Sequence, residues 1–345
     1  MAEADITSAG TGDWNAGATW TGGAVPDTDQ HAIIQSGHNV TINADDEIKS
    51  LTVNSGGTLT GNSSYSLTIN GEGSASYGTN YQCVYIRGAI GANVNLIITT
   101  GVGTEFDTNS SSGRLTNLTI SNTGGWVNWE NGMSISGDLV VSANAQFGPY
   151  TTGKPITVDG DVTISGTLKD TAGDSQAYTF GSLTINSGGT YYATGGTTTI
   201  TSKSAGGAEG LNFAGTFTHN NGTVKLALPA TDWANLFPNS KHFYNLIIDT
   251  GSTQGYFCND PLIVLNNLDI QDGEITANSA SSNDGDITVY GLTTVGTGGD
   301  AAKLENVART VTLHGGITVG ANGTFETGTG TVNVGGIRNL GGTIS

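Results

Sequence analysis

Of the 345 residues, 54 are glycine, a share of about 16% against a usual ~7%, and that excludes a helix-rich protein. With 11 Lys and Arg against 29 Asp and Glu the net charge is −18, which argues against nucleic acid as a partner. Hydrophobic residues reach only 36%, yet Val, Ile, Leu and Thr alternate almost to the end of the chain, so the composition describes a turn-rich all-β protein rather than a disordered one.

Residues 1–45 read as an N-terminal cap with the first strands. The start, Met1-Ala2-Glu3-Ala4-Asp5-Ile6, has no basic leader and no apolar stretch of ~7–15 residues, so no secretory signal is expected. Trp14 and Trp20 flank Asn-Ala-Gly-Ala-Thr, and Pro26 follows. Two large aromatics ahead of a first coil can cover its apolar end and its unpaired strand edge. The run Gly12-Asp13-Trp14, Ala18-Thr19-Trp20-Thr-Gly-Gly, Val25-Pro26, Ile33-Ile34, Gly37 and Val40-Thr41-Ile42, continuing to Leu59, resembles the opening of a loose group of β-solenoid proteins. That group comprises secreted bacterial surface proteins and structural proteins of marine tailed phages. The resemblance covers residues 1–60 well and the later coils only in general style. It implies a β-helical fold in an extracellular or virion setting, and it brings no catalytic residues with it.

Residues 46–227 carry the strongest signal, which is self-similarity. Leu51-Thr-Val-Asn-Ser-Gly-Gly-Thr-Leu59 returns as Leu183-Thr-Ile-Asn-Ser-Gly-Gly-Thr-Tyr191, with looser copies from Leu139 to Phe147 and from Ile317 to Phe325. Each reads as strand, corner, strand, with Asn and Gly supplying the positive φ that a sharp corner needs. Short alternating runs mark further strands at Val40–Ile42, Leu67–Ile69, Leu96–Ile98, Leu118–Ile120, Ile156–Val158, Val162–Ile164, Ile287–Val289 and Val311–Leu313. A sandwich has no reason to reuse one strand-corner-strand phrase, whereas stacked coils do. The expected fold is therefore all-β, a parallel β-solenoid with an N-terminal cap, wound right-handed as parallel crossovers are. Coils of about 20 residues rising ~4.8 Å would give about 14 coils and ~65–70 Å.

Two aromatic segments interrupt the alternation. Trp126-Val-Asn-Trp129 reads either as a loop folded over a coil corner or as a platform on which a sugar face stacks. Residues 228–250 read as an aromatic insertion: Thr231 can cap a short helical turn through Phe237, and Pro238 can end it. Trp233, Phe237, Phe243 and Tyr244 lie close together in a chain that is 7% aromatic, so this segment reads either as an interface or as local packing. Residues 251–345 resume the coils, where Thr324–Ile337 echoes Thr216–Leu226, and no C-terminal cap is evident before Ser345. A bare coil end exposes strand edges, which favours an assembled protein, a homo-oligomer being the simplest case.

Catalytic chemistry finds little support in the sequence. The acidic groups Asp159/Asp161, Asp284/Asp286 and Asp45/Asp46/Glu47 sit at corners, where Asp serves the turn, and Lys49, Arg87, Arg114, Lys154 and Lys169 are scattered singly. The five His residues lack HExxH or nucleophile-elbow context, and neither an EF-hand loop nor a GGxGxD array is present. Cys83 and Cys258 read as small core residues. No cofactor and no metal are expected. No apolar run approaches the ~18–20 residues of a membrane span. The expectation is a non-catalytic structural protein of a phage virion (fibre, spike or capsid decoration), with other virion subunits as partners and host-surface glycan as a further contact. A secreted or cell-surface bacterial adhesin of the same fold is the alternative, and a polysaccharide-degrading β-helix enzyme the third reading.

Overall fold

The computed structural model describes residues 5–72, 82–100, 104–108, 113–170, 174–204, 209–229, 233–251, 254–277 and 285–345. They form two compact units, Met1–Thr171 and Ala172–Ser345, and each is a parallel β-solenoid, with about 14 turns in all. Among the described residues the strand ladders are parallel throughout, and only the isolated bridge between Ser8 and Trp20 is antiparallel.

In the first unit the coils lay short strands on three faces. The first face runs Asp5–Thr7, His31–Ile34, Ser50–Val53, Gln82–Ile86, Thr104–Thr108, Val127–Trp129, Gln146–Pro149 and Thr167–Lys169. The second begins Gly12–Asp13, Asn39–Thr41, Thr58–Thr60 and Ala89–Ile90, and the third runs from Asp46–Ile48 through Leu67–Ile69, Asn95–Ile98, Asn117–Ile120 and Leu139–Val141 into Ile156–Ile164. The register explains the repeated apolar-Thr-apolar phrase. Leu96 pairs with Leu118, Leu118 with Leu139 and Leu139 with Val162, while Ile98, Ile120, Val141 and Ile164 make a second column, and all eight are fully buried. Each such side chain is worth ~1.5–3 kcal/mol of burial, and the residues between them, Ile97, Thr119, Val140 and Thr163, point outward, where a β-branch suits extended backbone.

The second unit repeats the plan. One face joins Thr197–Ile200, Thr223–Leu226, Asn245–Asp249, the start of Leu268–Ala277, Thr293–Val295, Ile317–Val319 and Ile337–Asn339. Another joins Glu209–Phe213, Ala234–Phe237, Gly255–Cys258, the end of Leu268–Ala277, Ala302–Asn306 and Gly323–Glu326. A third carries His242–Phe243, Leu262–Val264, Ile287–Val289, Thr310–Leu313 and Thr331–Val334.

This pairing corrects the reading of residues 228–250. The segment is one ordinary coil, not an insertion: Leu236 pairs with Leu211 on one side and Cys258 on the other, and Ile247 pairs with Lys225 and Asp269. The helical turn expected through Phe237 is replaced by the strand Ala234–Phe237; Thr231, its proposed cap, lies outside the described residues. Ala234 and Leu236 point inward and Asn235 and Phe237 outward, a period of two that pairing on both sides enforces over the local capping signal.

The corners show why the Asn-Ser-Gly-Gly phrase recurs. In both copies the second-last glycine has φ near +80°, Gly56 at +81° and Gly188 at +86°, and the last donates its N–H to the Asn carbonyl at 2.8 Å. A second class of glycine is invisible in the phrase itself. Gly88 sits on the corner 54–57 of the coil before it, Gly166 on 142–145, Gly215 on 186–189 and Gly342 on 320–323. A Cβ at any of the four would fall within 3.0 Å of two carbonyl oxygens of the underlying corner. None of them has positive φ, so what these positions require is space.

Candidate functional site

The aromatic residues divide between inside and outside according to strand register. Trp129 is fully buried: its ring lies 4.6 Å from that of Phe147 and its Nε1 donates to the Lys154 carbonyl at 3.1 Å. Trp126, three positions earlier and so on the other side of the strand, is half-buried over Gly148. Trp129 therefore drops out as a glycan or partner contact. Phe243 drops out for the same reason, being 1% exposed within a cluster with Phe213 and Phe217 at 5.9 and 5.7 Å. Trp233 and Phe237 are half-buried and outward, and Trp233 stacks on Phe257 of the next coil at 4.6 Å and 15°. Tyr244 stacks on His219 at 5.6 Å, where burial and then the neighbouring His242 push the His219 imidazole below its ordinary pKa. In these stacked pairs each ring covers one face of the other, which halves the area open to a sugar. At the N-terminus Trp14 and Trp20 are buried edge-to-face at 4.9 Å, Trp20 Nε1 donates to the Trp14 carbonyl at 2.7 Å, and Pro26 is buried beside them in the sequence.

The acidic groups singled out at corners hold the coils together. Asp159 forms an ion pair with Arg114. Along one edge of the first unit Asn117 donates to Asn95 Oδ1 at 2.9 Å, the Asp138 N–H donates to Asn117 Oδ1 at 2.8 Å, and the Asp161 N–H donates to Asp138 Oδ1 at 2.8 Å. Asp45 accepts the Ser66 N–H and Asp286 the Thr310 N–H, at 2.8 and 2.7 Å, while Asp284 lies outside the described residues. In the second unit the same kind of bond runs from Asn266 Nδ2 to Asn245 Oδ1 at 2.9 Å.

The sequence reading missed a charged cluster on the outer side of the first face. On Thr104–Thr108, Phe106 points into the core while Glu105 and Asp107 point outward, yet these two are only 3% and 1% exposed. Asp107 forms an ion pair with Arg87 of the preceding coil and accepts from Asn131 Nδ2 of the following coil at 2.6 Å. Arg87 lies 4.0 Å over the Tyr85 ring. Burial pushes Asp107 up, but hydrogen bonds from Arg87, Glu130 and Asn131 outweigh it and leave the carboxyl below its ordinary value. Glu130 goes the other way, to about 8, first by burial and then by hydrogen bonding to Glu105 and Asp107. At neutral pH Glu130 therefore holds a proton that it donates to Asp107.

The second unit has a counterpart. Lys303 Nζ lies 3.1 Å from Glu274, 3.5 Å from Glu305 and 3.7 Å from Glu326, and Thr276 Oγ1 donates to Glu274 at 2.7 Å. Burial, then Glu305, raises the Glu274 carboxyl, whereas for Glu305 burial is outweighed by the Glu274 hydrogen bond and Lys303. The sequence trace of each cluster is two charged residues flanking an inward apolar one, Glu105-Phe106-Asp107 and later Lys303-Leu304-Glu305; further partners come from other coils.

Comparison with known proteins finds no family model, no curated relative and no solved structure that matches the chain.

Proposed function

We propose that the chain is a non-catalytic structural component of a phage virion, a fibre, spike or capsid decoration, whose work is mechanical. The observation that carries this reading is the in-register stacking of coils. Backbone ladders, aliphatic columns and the Asn/Asp corner bonds all run from coil to coil and resist stretching together. The resemblance of residues 1–60 to phage and bacterial surface solenoids supports the setting. Trp126, Trp233, Phe237 and Tyr244 remain the surface for other subunits, copies of this chain among them, or for a host glycan. Mass spectrometry of purified virions tests it: peptides of this chain in every particle are expected, and their absence would leave the bacterial adhesin as the reading to pursue on cell-surface fractions.

A polysaccharide-degrading enzyme is the third reading, and its support is Asp107 and Glu130, adjacent carboxyls on successive coils pushed in opposite directions. Sustained oligosaccharide release from host polysaccharide, lost in both Asp107→Asn and Glu130→Gln but kept in Trp126→Ala and Trp233→Ala, would favour it over the structural role.

A further inference from the structure

Parallel in-register stacking carries an electrostatic cost that these clusters answer. When coils repeat with side chains directly over one another, acids at equivalent positions on successive coils face each other across one strand spacing, and like charges so placed repel. In the first unit Phe106 pairs with Trp129, which puts Asp107 beside Glu130 on the next coil, while Tyr85 pairs with Asp107 and puts Arg87 on the coil before. In the second unit Thr276 pairs with Glu305 and Glu305 with Glu326. We propose that a proton shared between carboxyls of adjacent coils, Asp107 with Glu130 in one unit and Glu274 with Glu305 in the other, fastens those coils together, making the solenoid a pH-sensitive structure that tightens on mild acidification and loosens in alkali.

The groups facing each pair support that assignment. Around Asp107 and Glu130 stand Glu105 from the same strand as Asp107, Gln82, Tyr85 and Arg87 from the preceding coil, Asn131 beside Glu130, and Tyr150 on the coil after. Arg87 is the cation paired with Asp107; Glu72, whose neighbour is Lys49, adds a further acid near Cys83. Around Glu274 and Glu305 stand Thr276, Lys303 and Glu326, again a cation among several acids. Asp107 and Glu130 face each other across one strand spacing and cannot both carry charge without repelling, so retaining a proton is the way the stack avoids facing like charges.

The direction follows from linkage. A carboxyl whose folded pKa is raised from 4.5 to about 8, as for Glu130, holds in the native state a proton that the unfolded chain has released. Its contribution to stability is whole below the unfolded value and is lost as pH rises toward the folded one. Asp107, shifted downward, acts oppositely, but only at the acid end, so it leaves the interval from mildly acid to mildly alkaline pH to Glu130.

The test is a carboxyl-carbon NMR titration of Glu-labelled full-length protein, run beside thermal melts at constant ionic strength from pH 5 to 9. The expected result is a glutamate titrating near pH 8 that vanishes in Glu130→Gln, a melting temperature that falls over the range, and a flatter slope in Glu130→Gln, flatter still with Glu274→Gln added. Asp29→Asn, which removes one exposed charge outside both clusters, should keep the wild-type slope. The proposal is overturned if every glutamate titrates in the ordinary range, if Glu130→Gln melts with the wild-type slope, or if Asp29→Asn flattens it equally, which would make the effect one of net charge.

Discussion

Replacing Gly215 by alanine tests the claim that corner glycines are there for room. A Cβ at this position lands within 3.0 Å of the Asn186 and Gly189 carbonyl oxygens, both backbone atoms of the preceding coil's corner, so no side chain can swing away. Relief requires the two coils to part locally. That strains the bonds from the Gly215 N–H to the Ile185 carbonyl at 2.9 Å and from the Thr216 N–H to the Gly189 carbonyl at 2.8 Å. Overpacking costs ~1–3 kcal/mol and each weakened bond up to about 1, against a gain of ~0.4–1 from restricting the unfolded chain, so a net loss of about 3 kcal/mol is expected. Two controls separate space from conformation. Gly188, with φ of +86° and nothing near it, should cost ~1–2 kcal/mol as alanine; Gly299, open and at ordinary φ, should cost nothing measurable. Urea unfolding followed by circular dichroism gives the three values, and amide exchange should show the Gly215→Ala loss concentrated in the coils it touches. If Gly215→Ala lies within ~0.5 kcal/mol of Gly299→Ala, the steric account of these corners is wrong.

The division of the two tryptophans can be read in the same assay: Trp129→Ala should cost ~3–5 kcal/mol because it empties a buried site and strips the Lys154 carbonyl of its donor, and Trp126→Ala clearly less. Asn117→Ala should lower stability by ~1–2 kcal/mol, since the side chain both donates to Asn95 and accepts from the Asp138 N–H; an unchanged urea midpoint would remove the corner ladder from the list of stabilising features. Both thiols are buried, with Cys83 pushed up to about 12 by burial and Cys258 raised likewise, so the native protein should resist a disulfide reagent at pH 8 and consume it only after unfolding. Rapid labelling of either thiol in the native state would contradict the packing of its coil.

The fold was legible because coil geometry is local. Alternation fixed the strands, and Leu51–Leu59 and Leu183–Tyr191 build the same corner in different units. The phrase is nevertheless a corner code and not a coil period: Leu51–Leu59 leads from the first face to the second, whereas Leu139–Phe147 leads from the third to the first. What stayed hidden depends on which residue lies one coil away. Gly88, Gly166 and Gly215 follow the corners they rest on at different separations, as Arg87, Asp107 and Glu130 do among themselves, so no fixed spacing announces them. Trp233–Phe237 misled for a related reason, because its capping and proline signals are local while its strand is imposed by neighbours on both sides.

Coil length varies without loss of alignment. His31 pairs with Ser50, nineteen positions on, but Leu51 pairs with Val84, thirty-three positions on, and the three residues Leu51, Thr52 and Val53 still meet Val84, Tyr85 and Ile86 in step. Architecture of this kind is tolerant of growth at its bends. Segments can be gained, shed or exchanged there over evolutionary time, or spliced in by an engineer, while the apolar columns beneath keep their count, so the same coils can be re-dressed for new surroundings without being rebuilt.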